Sequence, residues 1–275
     1  MIKSNYHTHV KYCHHAGGEV EDYVQEALKN NLQEIGISDH APILENIDKL
    51  YGKEYLKFDT NMSYQTIDIY LNDIKKAKEK YQNQIKIFSG FEMEFLSKGR
   101  PFYEKIRSKV DFLILGVHYF EFKNKILNSF EDITYQTLDG YVETCIKGME
   151  SGLYICLAHP DLFMYNYKNI NGERKFDEKA IWATKKIIES AIKNNVYLEV
   201  NANGLRDFGA EVEPNKWYYP SIDFWKIAKT YDQLKIIIGA DAHNPKALCG
   251  KNTNRICQFV KELGLNVSEQ IIIKK

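Results

Sequence analysis

Short apolar runs alternate with segments of helical periodicity along nearly the whole chain, and this alternation limits the possible folds more than any other feature. The runs are continuous in apolar residues, as in parallel strands that are covered on both faces. They are Ile35 to Ile37, Ile85 to Phe88, Val110 to Val117, Leu153 to Ala158, Val196 to Val200 and Leu234 to Ala240. The N-terminal segment through His9 adds a further strand and brings the predicted count to seven.

Helical periodicity fills the intervals between these runs. The predicted helices run from Val20 to Leu28, Ile67 to Ile74 after a Ser63 cap, Leu138 to Met149, Ile181 to Ala191 after an Asp177 cap, Pro220 to Ala228, and Asn252 to Leu263. No composition break divides residues 1–275, so we predict a single α/β domain, a distorted (β/α)7 TIM-like barrel. Two irregular stretches, Ala41 to Met62 and Gly204 to Trp217, are predicted active-site loops.

The composition narrows the possible partners and cellular location. Of 275 residues, 44% are hydrophobic, and the 37 basic side chains balance 37 acidic ones, so we predict no nucleic-acid partner but leave a small charged substrate open. No apolar run is long enough to cross a bilayer, and the N-terminus leaves no room for a signal peptide. Five scattered cysteines argue against a disulfide framework. These features predict a cytoplasmic protein without a membrane partner.

All eight histidines fall in short polar clusters at the ends of the apolar runs. The clusters are His7-Thr8-His9, His14-His15, Asp39-His40, Gly116-Val117-His118, His159-Pro160-Asp161 and Asp241-Ala242-His243. In a βα barrel the C-terminal strand ends meet around one pocket, and imidazole with carboxylate binds Zn, Fe or Mn. The pattern therefore predicts a polynuclear metal site at that face.

The same segments, in order, resemble the polymerase and histidinol phosphatase (PHP) superfamily. The resemblance rests on His7-Thr8-His9, Cys13-His14-His15-Ala16, Ser38-Asp39-His40-Ala41-Pro42, Gly90-Phe91-Glu92, Gly116-Val117-His118, Ala158-His159-Pro160-Asp161 and Gly239-Ala240-Asp241-Ala242-His243. Within the superfamily the chain is similar to the monofunctional histidinol-phosphate phosphatases, through Asn203-Gly204-Leu205-Arg206 and Tyr219-Pro220-Ser221 as well. The resemblance covers residues 7–243.

The resemblance implies nine ligands for three divalent transition-metal ions, Zn, Fe or Mn. The first ion would take His7, His9, Glu92 and Asp241, the second Glu92, His118 and His159, and the third His15, His40 and His243. A bridging carboxylate at Glu92 would partly neutralise two cations held close together. His14 departs from the family pattern, in which an acidic residue is common, and its role stays open. Glu94 competes with Glu92 as a ligand but is better explained as a carboxylate behind the ligands.

The implied reaction is hydrolysis of a phosphate monoester, L-histidinol phosphate first, by a metal-bridging hydroxide that attacks phosphorus. Arg206 is the predicted phosphate-binding residue because guanidinium matches phosphate oxygens with paired donors. Asp161 is the candidate for protonating the leaving group. Glu121, Asp161 and Glu94 are candidates for recognising the cationic groups of histidinol phosphate. The alternatives are a phosphatase or phosphodiesterase acting on another small metabolite or nucleotide, and an inactive metal-binding module.

Overall fold

The computed structural model describes residues 2–51 and 60–273, in which parallel strands form a nearly closed barrel surrounded by helices. The barrel strands are β1 (Ser4–Asn5), β2 (Glu34–Ile37), β3 (Lys86–Met93), β4 (Phe112–Leu115), β7 (Cys156–Leu157), β8 (Tyr197–Asn201) and β9 (Ile236–Gly239). They pair in the order β1-β2-β3-β4-β7-β8-β9, and every pair is parallel. This confirms the predicted distorted (β/α)7 TIM-like barrel.

Helices connect the strands on the outside of the barrel. They are α1 (Val20–Lys29), α2 (Ile47–Tyr51), α3 (Ile67–Tyr81), α4 (Arg100–Arg107), α5 (Leu138–Glu150), α6 (Glu178–Asn194), α7 (Ile222–Ala228) and α8 (Lys251–Leu263). Asp177 caps α6 as predicted, because its carboxylate accepts hydrogen bonds from the backbone N–H groups of Lys179 and Ala180. Ser63 makes no such bond; it precedes a short 3-10 turn that leads into α3.

Among the described residues, the segments that follow the first and last barrel strands meet at one isolated bridge, which is why the barrel is nearly closed. Near the C-terminal strand ends, Thr8 forms a parallel bridge to Ala242. At the opposite end, Val267 bridges to Ile236, and the side chain of Ile271 is buried inside the barrel. The C-terminal segment therefore covers the bottom of the barrel, and the top stays free for the loops that follow the strands.

Several paired strands are shorter than the apolar runs that predicted them. Only Cys156–Leu157 pairs within the run Leu153 to Ala158, and the N-terminal strand ends at Asn5. His159 and Asp241 then adopt positive φ angles of 31° and 46°, in the left-handed region. The backbone thus turns where the polar clusters begin, which brings side chains from different strands to the same end.

Two features of the loops were not predicted. An antiparallel hairpin, β5 (Tyr119–Phe122) and β6 (Lys125–Asn128), follows β4 on the pocket side of the barrel. Helices α2 and α4 also lie in segments without a predicted helix. The predicted loop from Ala41 to Met62 contains α2, and its residues 52–59 lie outside the described part. The predicted loop from Gly204 to Trp217 is irregular apart from short 3-10 turns.

The cysteines and the helices bear on two of the predictions made from composition. All five cysteines are free thiols, as expected for a chain without a disulfide framework. Over residues 2–51 and 60–273, no helix combines the length and apolarity that crossing a bilayer requires. The cytoplasmic location stays a prediction.

Candidate metal centre

The predicted ligands converge at the C-terminal ends of the barrel strands, around the buried carboxylate of Glu92 on β3. One carboxylate oxygen, Oε2, lies 3.2, 3.4 and 3.2 Å from ring nitrogens of His7, His9 and His40 respectively. The other oxygen, Oε1, lies 3.4 Å from Nε2 of His118 and 3.0 Å from Nε2 of His159. Each oxygen thus faces a different group of imidazoles, which is the arrangement a bridging carboxylate needs.

Asp241 and His243, which follow β9, complete the cluster on its other side. The Oδ1 atom of Asp241 lies 3.0 Å from Nε2 of His9 and 3.6 Å from Nε2 of His7. The Nε2 atoms of His243 and His15 are 2.9 Å apart. Ligand atoms of His7, His9 and Asp241 are close enough to hold one ion, and so are those of His40, Glu92 and His118. A further group joins His9, His40 and His243.

Several ligand atoms lack any hydrogen-bond partner among the described residues although they are buried. They are Nε2 of His7, both ring nitrogens of His9 and Oδ1 of Asp241. Buried polar atoms are nearly always paired in folded proteins, so a cluster of unpaired nitrogen and oxygen atoms of this kind indicates a binding site for an ion or small molecule. Imidazole nitrogens and a carboxylate oxygen around one point match a divalent transition metal.

The pair formed by His15 and His243 gives independent evidence for a cation. Nδ1 of His15 lies 3.0 Å from the Cys13 carbonyl oxygen, and Nδ1 of His243 lies 3.0 Å from the Asp241 carbonyl oxygen. Because a carbonyl only accepts, each Nδ1 carries the proton and each Nε2 presents a lone pair. Two lone pairs that face each other at 2.9 Å repel unless a positive charge binds them.

The charges in the cluster favour metal binding at neutral pH. Burial opposes a charge on His7, but the carboxylates of Glu199 and Asp241 outweigh it and raise its pKa well above the ordinary value. Burial also favours neutral Glu92, yet the imidazoles around it hold its pKa well below the usual range. Burial and a neighbouring imidazole lower the pKa of His243 to about 3. Ionised carboxylates and neutral imidazoles are the forms that ligate metals, so a bound cation would take the place of the proton that the raised pKa holds on His7.

A second set of carboxylates lies behind the histidine ligands. Oε1 of Glu94 lies 3.0 Å from Nδ1 of His118, which places Glu94 behind a candidate ligand, as expected from the sequence. Asp39 accepts the backbone N–H of His40 at 2.9 Å, and its Oδ1 also lies 3.5 Å from Nδ1 of His9. The Glu94 carboxylate thus fixes the tautomer of the His118 imidazole and directs its Nε2 to the candidate metal site.

Glu199 on β8 is a functional residue that the sequence reasoning missed. Its carboxylate, 2% exposed, accepts a hydrogen bond from Nδ1 of His7 at 2.8 Å and from the backbone N–H of His159 at 3.3 Å. Gly239 makes room for it, because a Cβ atom there would lie 1.7 Å from Oε1 of Glu199. The available signal was an acidic residue inside the apolar run Val196 to Val200, where a buried charge requires partners.

Seven of the nine candidate ligands, all except His7 and His9, line a cavity of about 180 Å³ that contains few other charged groups. Arg206 and Asn203 contribute from the loop after β8, and Glu94 contributes from the end of β3. The side chain of Arg206 is 64% exposed, with its Nε atom 3.5 Å from Asp207. Arg206 is thus free to contact a ligand in the cavity.

Two of the acidic candidates are placed away from the cavity. Asp161 is fully buried, and its Oδ2 atom accepts hydrogen bonds from the backbone N–H of Ser221 at 2.5 Å and from Nε1 of Trp225 at 3.0 Å. It is absent from the cavity lining, which corrects its predicted role as the acid for the leaving group and as a substrate contact. The Glu121 carboxylate binds Tyr51 and Ser97 outside the cavity, so it is also not placed to recognise substrate.

His14 differs from its neighbour His15. It is exposed, adopts a positive φ of 66° and joins none of the groups of described residues that could hold a metal. The structure therefore gives it no place among the ligands.

Comparison with known proteins places this centre in a family. The PHP domain matches residues 5–203, more than half of the chain. The chain belongs to the PHP domain family. Asp241 and His243 lie beyond the matched residues, and the barrel brings them to the other ligands through β9.

Three proteins that are similar to this chain carry the name histidinol-phosphatase or histidinol phosphate phosphatase. The chain is 22% identical to a "Probable histidinol-phosphatase" of Schizosaccharomyces pombe, over 94% of this chain and 86% of that protein. It is 24% identical to the histidinol-phosphatase of Bacillus subtilis, over 88% and 94%. The fold is similar to histidinol phosphate phosphatase from Lactococcus lactis, crystallised with zinc, L-histidinol and phosphate. The TM-score is 0.71 at 18% identity, covering 98% of both chains.

Proposed function

We propose that this PHP domain protein, a single domain over residues 1–275, is a metal-dependent phosphate monoester hydrolase that converts L-histidinol phosphate and water to L-histidinol and phosphate. The observation that carries this proposal is the convergence of nine imidazole and carboxylate side chains, seven of which line a cavity that also contains Arg206. The names of the relatives in yeast and Bacillus and the ligands of the Lactococcus structure support the same substrate.

The ligand geometry supports three divalent ions, Zn, Fe or Mn. One group would hold an ion with His7, His9, Glu92 and Asp241, a second with Glu92, His118 and His159, and a third with His15, His40 and His243. Such ions, when bound, lower the pKa of water and offset charge on phosphoryl oxygens. Glu92 would hold two of these ions, because its two oxygens face different imidazoles.

The residues around the ligands divide the cavity into two sides. Arg206 and Asn203 offer donors to phosphoryl oxygens on the side of β8. Glu94, with Phe130 of the segment after β6, lines the side of the hairpin, where the Phe130 ring lies parallel to that of His118 at 6.1 Å. A carboxylate and an aromatic face suit the ammonium and imidazole groups of histidinol. We assign the leaving group to that side, with Glu94 as the remaining acidic candidate.

The test is phosphate release from L-histidinol phosphate, nucleoside monophosphates and a phosphodiester by the metal-reconstituted protein. Adjacent histidines provide a matched pair of variants, because His15 faces His243 whereas His14 is exposed. His15→Ala should lower turnover of histidinol phosphate by about 100-fold or more, and His14→Ala should leave it unchanged. A parent protein that hydrolyses only the diester, or no substrate in the panel, would contradict the proposal.

A further inference from the structure

The ring of Tyr219 forms a rigid part of the cavity wall beside the metal ligands. Tyr219 is 5% exposed and lines the same cavity as Arg206 and Asp241. Its ring lies 6.3 Å from that of His159 in an edge-on arrangement. Gly204 also packs closely against the ring, since a Cβ atom there would lie 2.7 and 2.8 Å from two ring carbons. The side chain is therefore held in one position.

The backbone around Tyr219 is fixed to the loop that supplies a metal ligand. The N–H of Ser221 donates to the buried carboxylate of Asp161, which also accepts from Trp225. Asp161 lies two residues after His159, so this bond ties the Tyr219 segment to a ligand loop. Asp161 thus positions Tyr219 relative to the ligands rather than acting on substrate.

The hydroxyl of Tyr219 differs from those of other buried tyrosines. Buried tyrosine hydroxyls normally find a hydrogen-bond partner. Tyr70, Tyr141 and Tyr154, for example, each donate to a backbone carbonyl. For Tyr219, by contrast, the described residues provide no hydrogen-bond partner, and its side chain lines the same cavity as Arg206 and Asp241. Its neighbours in the cavity are therefore the phosphate-binding candidate and a metal ligand.

We propose that the Tyr219 hydroxyl donates a hydrogen bond to a non-bridging oxygen of the substrate phosphoryl group, which makes Tyr219 a further catalytic residue. This inference rests on the proposed function, because it places the phosphoryl group between the metal ligands and Arg206. A neutral donor fixed by packing adds to the charged donor Arg206 without any rearrangement when charge develops on the phosphoryl oxygens. No proton is transferred in this role.

The experiment compares Tyr219→Phe with the parent and with Tyr218→Phe. Tyr218 is a matched control because its ring packs against Phe208 and Arg174 and does not line the cavity. Binding of inorganic phosphate to the metal-reconstituted proteins is measured by calorimetry, beside kinetics on L-histidinol phosphate and metal content. Tyr219→Phe should weaken phosphate binding and lower kcat/KM about 10- to 100-fold with unchanged metal content, as for a lost bond to a charged group. Tyr218→Phe should match the parent.

Two results would overturn the inference. Phosphate affinity and kcat/KM of Tyr219→Phe within about twofold of the parent would remove the hydrogen bond. Loss of metal from Tyr219→Phe would show that the residue acts through the ligands. Failure of the proposed function is distinguishable, because then the parent itself would neither bind phosphate nor hydrolyse the monoester.

Discussion

Glu199 offers a prediction that separates the metal ligands from the carboxylates that orient them. Its two oxygens accept hydrogen bonds from Nδ1 of His7 at 2.8 Å, from the side chain of Asn201 at 2.8 Å and from the backbone N–H of His159 at 3.3 Å. Glu199→Gln keeps the shape but replaces one acceptor oxygen with an N–H₂ donor. The change therefore tests the electronic role of the carboxylate and not its volume.

The expected loss of metal affinity in Glu199→Gln depends on which hydrogen bond of the carboxylate is lost. If the amide nitrogen faces His7, the imidazole must move its proton to Nε2, the atom that faces Glu92 and Asp241 and that has to stay free for a metal. If the amide oxygen faces His7, the amide nitrogen meets two other donors. Either way at least one bond to a charged acceptor is lost, which costs about 1.5–3 kcal/mol. Metal affinity at the His7 position should fall about 10- to 100-fold.

Competition with a chelator at neutral pH measures this affinity directly. Glu34→Gln is the matched control, because Glu34 is also a buried carboxylate on a barrel strand but binds Tyr6 and Lys86 instead of a histidine ligand. Gly239→Ala is a second approach, since its Cβ would collide with the Glu199 carboxylate. It should weaken metal binding in the same way. Glu199→Gln with metal affinity within about twofold of the parent would refute the reasoning.

Three further predictions follow from the placement of the other side chains. Glu92→Gln should reduce metal content and turnover at least about 10-fold more than Glu94→Gln, because of the two residues Glu92 alone faces imidazoles with both oxygens. Retention of metal by Glu92→Gln and its loss from Glu94→Gln would reverse the assignment. Arg206→Met should lower kcat/KM about 100-fold or more with unchanged metal content, and Arg206→Lys should recover part of it; a Met variant within a few-fold of the parent would exclude phosphate binding by Arg206. Asp161→Asn should keep activity within about threefold, since both hydrogen bonds go to Oδ2 of Asp161 and an amide oxygen can accept them instead. Asp161→Ala should lower the free energy of unfolding by about 1–3 kcal/mol. A large kinetic loss in Asp161→Asn would restore the role of Asp161 as an acid.

The barrel and the position of its metal cluster could be predicted from sequence because two independent patterns agree. The apolar runs fixed the strands closely enough to place their C-terminal ends, and His7, His40, His118 and His159 each follow such an end. The C-terminal ends of parallel strands lie at one face of a barrel. The histidines that follow them could therefore be predicted to lie close together without knowledge of any contact. The exact strand length mattered little for this conclusion.

Other parts of the site depend on contacts that periodicity does not encode. Glu199 was counted as part of an apolar run, and only its bonds to His7 and His159 show what a charge does there. Asp161 follows a ligand by two residues, yet its side chain lies towards α7 and not the cavity. The β5–β6 hairpin was also missed, because its two four-residue strands are too short and too mixed in polarity to form a continuous apolar run.

The number of metal ions per chain tests the central claim most directly. The account predicts elemental analysis close to three divalent ions per chain after reconstitution, since the two oxygens of Glu92 face different imidazoles and His15 pairs with His243 beside them. The metal-free protein should release no phosphate from L-histidinol phosphate, and activity should return with the ions. A content of one ion or fewer per chain in active protein would contradict the account.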